Sequence, residues 1–226
     1  MTKFTPYWWE GQPHYSESNS MPKNADAVIV GAGFTGLSAA ITLAKSGVSV
    51  VVFDSVELGF GASTRNGGML GSGHKVSPQQ AEEKYGIDVA GQIHKEANAS
   101  LAFTTNLIQA NNIDCDLQIC GRLRTSWVPQ DQFSMSENLK KLKAIDNFNS
   151  KMIDASTMSE SIKTELYFGG QYYEDHGSVQ PRKFHYGLHQ LAKKSGAKVF
   201  GRMPVNQITP LPGDQGASFV VSVANE

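Results

Sequence analysis

Gly31, Gly33 and Gly36, spaced Gly-x-Gly-x-x-Gly, have types and a spacing that could do chemistry, as do the acid Asp54 and the run Gly59-Phe60-Gly61-Ala62-Ser63-Thr64-Arg65-Asn66-Gly67-Gly68-Met69. In such a turn Gly31 permits the tight bend, Gly33 lets the backbone approach a pyrophosphate, and Gly36 lets helix and strand pack closely. Phe34 and Thr35 then open a helix whose free N–H groups face the anion. An acid about 20 residues further on, at the tip of the next strand, is where a dinucleotide fold binds ribose hydroxyls. Asp54, followed by Ser55, stands there. An acid at that tip argues for a free ribose, as in NAD or FAD, over a 2′-phosphate, and does not separate the two.

The elements that must position these residues are legible around them. Ala27-Val28-Ile29-Val30 is short and β-branched enough to be a strand buried on both faces. Leu37, Ala40, Ile41 and Ala44 form one apolar stripe of a helix, Gly47 suits its left-handed C-terminal position, and Val48 to Phe53 reads as a second buried strand. The second glycine-rich run holds too many glycines for an ordinary helix. It is expected as a backbone-rich loop offering N–H groups, the Ser63 hydroxyl and the Arg65 charge to phosphate or to the polar edge of a flat ring. On composition alone, a surface loop with an incidental arginine is the alternative.

Ala-Asp-Ala-Val-Ile-Val-Gly-Ala-Gly-Phe-Thr-Gly-Leu-Ser-Ala-Ala, followed by Gly-Phe-Gly-Ala-Ser-Thr-Arg-Asn-Gly-Gly-Met, resembles the FAD-dependent D-amino-acid, glycine and sarcosine oxidase superfamily. Within it the Gly-Ala-Ser-x-Arg-Asn-Gly-Gly form is most similar to gamma-glutamylputrescine oxidoreductases. The resemblance implies an α/β fold, a Rossmann-like FAD-binding domain of the glutathione-reductase type interrupted by part of an α+β substrate domain. It also places pyrophosphate and isoalloxazine contacts on Gly61, Ala62, Ser63, Arg65, Asn66, Gly67, Gly68 and Met69. Some relatives bond FAD covalently through a histidine in this loop; Asn66 occupies that place, so noncovalent FAD is expected, with His74 a short way downstream.

Composition bounds the partners. The 226 residues are 40% hydrophobic and 18% charged with a formal net charge of −1, which gives no electrostatic reason to expect nucleic acid or an acidic membrane surface. Residues 1–24 lack a basic start followed by an apolar core, and no later run is long enough to span a bilayer, so a cytoplasmic protein is expected. Tyr7, Trp8 and Trp9 stand out in that polar stretch as anchors of an arm on the protein itself or on a partner subunit, with an interfacial membrane anchor as the alternative. Cys115 and Cys120, read on a strand running through Trp127, point to opposite faces, so neither a disulfide between them nor a metal site is expected.

Further along, a helix is expected from about Asp88 to Gln109 with Ile93, Ala97, Leu101, Thr104 and Ile108 on one face, and an exposed one from Pro129 to about Phe148. Thr157 and Glu160 suit a capping box, and Tyr167 to Tyr173 suits sheet strands. Pro181 opens a helix with Phe184, Leu188, Leu191 and Ala192 on its buried face, before a third parallel strand at Val199-Phe200. His185 and His189 are spaced i, i+4 on it, but Tyr186 stands where a metalloprotease helix requires Glu, leaving them as polar surface or satisfied core.

By the resemblance, Val179-Gln180-Pro181, Gly196-Ala197-Lys198-Val199 and Val205 mark the chain's return to the FAD domain, with the Val205 backbone on adenine. The implied organisation is an arm over 1–24, FAD domain over 25–76, substrate-domain segment over 77–176 and FAD domain again over 177–226. Val205 to Ile208 and Phe219 to Val223 read as two meander strands turning near Pro210-Leu211-Pro212-Gly213, and family members continue beyond this point, so an N-terminal portion is expected. The implied activity of the complete enzyme is oxidation of a C–N bond in an amine or amino acid, with a hydride passing to flavin, hydrolysis of the imine, and dioxygen or another acceptor reoxidising the cofactor. An NAD-linked dehydrogenase and a catalytically inactive nucleotide-binding fragment are the alternatives.

Overall fold

The computed structural model describes residues 2–12, 15, 20–212 and 218–224. In chain order the elements are β1 (Ala27–Val30), α1 (Phe34–Lys45), β2 (Val50–Phe53), β3 (Met69–Leu70), α2 (Pro78–Tyr85), α3 (Ile87–Ala110), β4 (Arg122–Thr125) and α4 (Pro129–Ile145). There follow β5 (Ser150–Asp154), α5 (Met158–Ser161), β6 (Gly169–Tyr173), β7 (Gly177–Ser178), α6 (Pro181–Lys194), β8 (Lys198–Phe200), β9 (Val205–Pro210) and β10 (Phe219–Val223). They sort into two units, one of Met1–Gly68, Asn111–Asp116 and Gln180–Glu226, the other of Met69–Ala110 and Leu117–Val179.

The first unit holds a parallel sheet of order β1-β2-β8, with Val28 opposite Val51 and Val52 opposite Val199. Parallel neighbours need crossover connections, and α1 provides the one between β1 and β2. β2, central in the sheet, is buried at every residue. Helix α1 buries Leu37, Ala40 and Ile41, while α6 buries Phe184, Leu188 and Ala192, and the two helices pack together. Gly47 ends α1 at φ +82°, where its N–H bonds Ala44 O and the Val48 N–H bonds Leu43 O, closing the last turn without a Cβ in the left-handed region.

β1 departs from expectation. Only one side is covered: Val28 is 38% exposed and Val30 59%. The uncovered side opens on a groove of about 660 Å³ that Ile208, Phe219 and Val221 of the antiparallel β9–β10 pair, and Leu211 just after β9, also line. The strand is one-sided because no helix lies over that face among the described residues. Of the turn expected at 210–213, Gly213 lies outside them.

The second unit contains an antiparallel sheet of order β4-β6-β5 and a short β3–β7 pair. Ser77 and Gln80 form a reciprocal capping box at the start of α2, and α3 buries His94, Leu101 and Ile108. Two expectations fail here. The strand expected through Cys115 to Trp127 is reduced to Arg122–Thr125, with only a single bridge from Gln118 to Ser178 before it, because Asp116 and Gly121 adopt positive φ and break the pleat. The capping box at Thr157 does not form: its hydroxyl donates back to Asp154 O, and α5 is a single turn. Among the described residues no helix is long and apolar enough to cross a membrane.

Burial lowers the pKa of His94 and His176 in the second unit and of His185 in the first below the ordinary 6.5. The unfolded chain therefore takes up protons at these sites before the folded one does. Their contribution to stability is complete above about pH 6.5 and is lost as the pH falls below it. Thermal melting followed from about pH 8 to 5 should be flat at the upper end and decline below 6.5, and the His176→Gln variant should decline less steeply. A melting temperature that rises on acidification would contradict this.

Candidate cofactor site

The turn after β1 is fixed from several sides. Gly31, at φ +98°, donates its N–H to Phe53 O (2.7 Å), joining the ends of β1 and β2. The Ala32 N–H donates to Asp54 Oδ2 (2.8 Å) and the Val56 N–H to Asp54 Oδ1 (3.2 Å). Asp54 thus stands at the tip of β2 and already holds the turn, while each of its oxygens keeps a second lone pair for another donor. Ser55 is exposed beside it. A Cβ on Gly36 would run into the Gly31 carbonyl and approach the Ile29 side chain to 3.2 Å, so this glycine lets α1 lie directly on β1. Thr35 is exposed in the first turn of the helix.

The second glycine-rich run folds onto the same helix end. Gly61 caps a 3₁₀ turn over Ala62–Thr64, and Ser63 Oγ accepts the Phe34 N–H at 3.1 Å. A Cβ on Gly33, the N-cap of α1, would sit 3.0 Å from that same hydroxyl oxygen. Asn66 shapes the rest: its Nδ2 donates to Ser63 O (3.1 Å) and Ala62 O (3.2 Å), and its Oδ1 accepts the Gly68 N–H (2.9 Å). Gly68 has φ +72°, and a Cβ on Gly67 would meet open space. Met69 is 70% exposed and opens β3 in the other unit. Val205 starts β9 and packs against the cluster of Val51, Phe53 and Phe200.

Arg65 does not project freely. Its Nε donates to Phe60 O (2.6 Å) and its guanidinium lies over the rings of Phe60 (4.3 Å) and Trp9 (4.7 Å). The aromatic arm clasps this loop: Trp8 Nε1 donates to Asn66 O (2.8 Å), Trp9 Nε1 to Thr64 Oγ1 (2.9 Å), and Gln180 Nε2 to Trp8 O (2.9 Å). Of the roles expected for the arm, anchoring on the chain itself is observed. Arg182, buried, stacks on Trp9 (4.6 Å) and Tyr15 (5.1 Å). Of the two readings of His185, polar surface or satisfied core, the second is the one observed: it is 1% exposed and reaches Ala32 O through Nε2 (2.7 Å), a place behind the glycine turn that the sequence did not reveal. The one signal was a histidine next to Phe184 on a helix that buries His189 and Arg182 as well.

A family model described as FAD-dependent oxidoreductase matches residues 26–224. The chain belongs to this family. Among curated relatives in the family it is 28% identical over 208 residues to the gamma-glutamylputrescine oxidoreductase of Escherichia coli strain K12, covering 88% of this chain and 49% of that protein. It is also 28% identical to the glycine oxidase of Bacillus licheniformis, covering 90% and 52%. The chain spans about half the length of the curated relatives it matches. Among solved structures, the L-amino acid deaminase of Proteus myxofaciens aligns with a TM-score of 0.73 at 21% identity, over 88% of this chain and 43% of that one. The glycine oxidase of Geobacillus kaustophilus aligns at 0.68 and 21%, over 88% and 51%. These matches carry the family's Rossmann-like FAD-binding fold to the parallel sheet described above.

Gly36→Ala tests the close approach of helix and strand. Alanine is the better helix former by about 1 kcal/mol, yet its Cβ has no room here, and a net loss of roughly 2 kcal/mol or more is expected. Gly61→Ala, where a Cβ meets nothing within 4 Å and φ is −75°, should stay within about 0.5 kcal/mol of the parent. Urea unfolding midpoints measure both, and equal midpoints would refute the steric account.

Proposed function

We propose that this chain carries the FAD-binding part of an enzyme that oxidises a carbon–nitrogen bond in an amine or amino acid. The first unit is the cofactor-binding domain and the second a segment of the substrate domain. The observation that carries this reading is the bond from the Phe34 N–H to the Ser63 hydroxyl. It joins two glycine-rich segments at the N-terminus of one helix, the end that favours a phosphate.

The residues present fit the cofactor. Gly33 leaves a cradle in front of Ser63 that a side chain would fill. The turn Gly31 to Gly36 with Ala62 and Ser63 would hold the pyrophosphate, Asp54 and Ser55 the ribose, and the Val205 backbone the adenine. Gly61, Arg65, Asn66, Gly67, Gly68 and Met69 would meet the flavin side. The Asn66 amide, spent on loop carbonyls and lacking a nucleophilic nitrogen, supports noncovalent binding.

When bound, the flavin supplies the hydride-accepting chemistry. The protein's share is to bind, orient and shield the substrate and to keep its amine in the neutral, reacting form. The relatives' names support an amine such as gamma-glutamylputrescine, or an amino acid such as glycine, as the substrate class. A D-amino acid or an N-methyl amino acid is the next to test, with dioxygen or another acceptor as oxidant and the cytoplasm as the location.

The purified chain, mixed with FAD and freed of excess, should retain visible flavin absorption, and NAD should not displace it. Ser63→Ala should weaken FAD binding roughly three- to tenfold, the worth of about one net hydrogen bond. Displacement of FAD by NAD would favour the dehydrogenase reading. Bleaching by one of the named substrates would extend the proposal to activity in the chain as it stands.

A further inference from the structure

We propose that His185, with Tyr15 behind it, is a positioning residue for the cofactor turn, fixing the orientation of the Ala32–Gly33 peptide. This rests on the reading of the turn as an FAD site. The Ala32 carbonyl can only accept, so the His185 Nε2 that lies 2.7 Å from it carries the proton. In the neutral ring Nδ1 is then an acceptor, and the Tyr15 hydroxyl, 2.8 Å away, donates to it. Burial keeps His185 neutral, assisted by the Arg182 cation, and burial also pushes the Tyr15 phenol well above its usual range, so that it remains a donor.

The consequence for the turn follows from peptide geometry. The peptides of the described residues are trans, and in a trans peptide the C=O and N–H point in opposite directions. With the Ala32 carbonyl held on the His185 side, the Gly33 N–H must face away from it. Gly33, without a Cβ, leaves that peptide freer to rotate about its φ unless something holds it, and Asp54 holds only the preceding N–H. An anion site gains affinity when its donors are oriented before the anion arrives.

Tyr15 is itself seated by the second loop. A Cβ on Gly59, at φ +73°, would fall 2.6 Å from the Tyr15 hydroxyl oxygen, so a glycine is required for the phenol to reach His185. The Tyr15 ring also meets the rings of Tyr186 (5.5 Å) and His189 (5.3 Å) edge-on. One relay, from arm to helix to turn, thereby sets the peptide at the centre of the glycine motif.

The test is FAD titration of the whole chain and its His185→Leu, His185→Gln and Tyr15→Phe variants, alongside urea unfolding without FAD and ¹⁵N NMR of the His185 ring. Glutamine places an amide N–H near the position of Nε2, so His185→Gln should bind like the parent. His185→Leu should bind roughly three- to tenfold more weakly, and Tyr15→Phe should fall between them. The ¹⁵N shifts should be those of the Nε2–H tautomer. Equal FAD affinity in the parent and His185→Leu, or equal weakening in the leucine and glutamine variants, would overturn the proposal. An Nδ1–H tautomer in the parent would do the same even if a variant failed to fold. A parent chain that retained no FAD would overturn the cofactor reading and this inference together.

Discussion

The Asp54 residue ties the ends of three parallel strands, and the geometry of the site depends on that tie. Its N–H reaches Phe200 O at the end of β8, its carboxylate takes the N–H groups of Ala32 and Val56, and its carbonyl accepts the Met203 N–H. Parallel strands have no hairpin to set their ends in register. A side chain that accepts from the turn after one strand while its backbone bonds the end of another does so instead. The crevice beyond the carboxyl ends of such strands is where α/β folds bind ligands, so the interactions that close the sheet also shape the turn.

A second constraint is steric. Gly36 lies so close to the Gly31 carbonyl that the start of α1 is pressed onto the turn, and Ser63 comes up to the first N–H of the helix from the other loop. The aromatic arm then closes over that loop through two indole N–H donors, with Arg65 and Arg182 stacked on Trp9. Among the described residues, buried Arg182 has no acceptor for its Nε and Nη1. Facing two aromatic rings offsets part of the cost of removing that cation from water.

How much of this could be read in the sequence depended on the range of each interaction. β1, α1, β2 and the glycine turn were legible because periodicity, the glycine spacing and the C-terminal Gly47 are local signals that agree with one another. The loop around Ser63 was legible as a loop, but not its contact with Phe34, which spans 29 residues. His185 reaches Ala32 across 153 positions and Gln180 reaches Trp8 across 172, so their roles left only a weak local trace. The exposed side of β1 was misread for a related reason. A short β-branched run has no internal mark that tells a strand covered on both sides from one covered on one. Cys115 to Trp127 failed differently, since alternation alone did not reveal that Asp116 and Gly121 would adopt positive φ.

The same range of contacts constrains how the first unit can form. Residues 25–54 contain the whole glycine motif, yet the central strand β2 gains its second parallel neighbour β8, and Val51 and Phe53 gain Phe200, Val205 and Val223 as packing partners, only from beyond residue 180. Until then Val51, Phe53 and the face of α1 bearing Leu37 and Ala40 lack partners that the chain supplies about 130 or more positions later. Closing so long a loop costs only a few kcal/mol more than closing a short one, but it must be met before those distant contacts contribute. The turn is therefore a product of the completed unit. Its glycines make the shape possible, while Asp54, Phe200 and His185, drawn from three parts of the chain, hold it there.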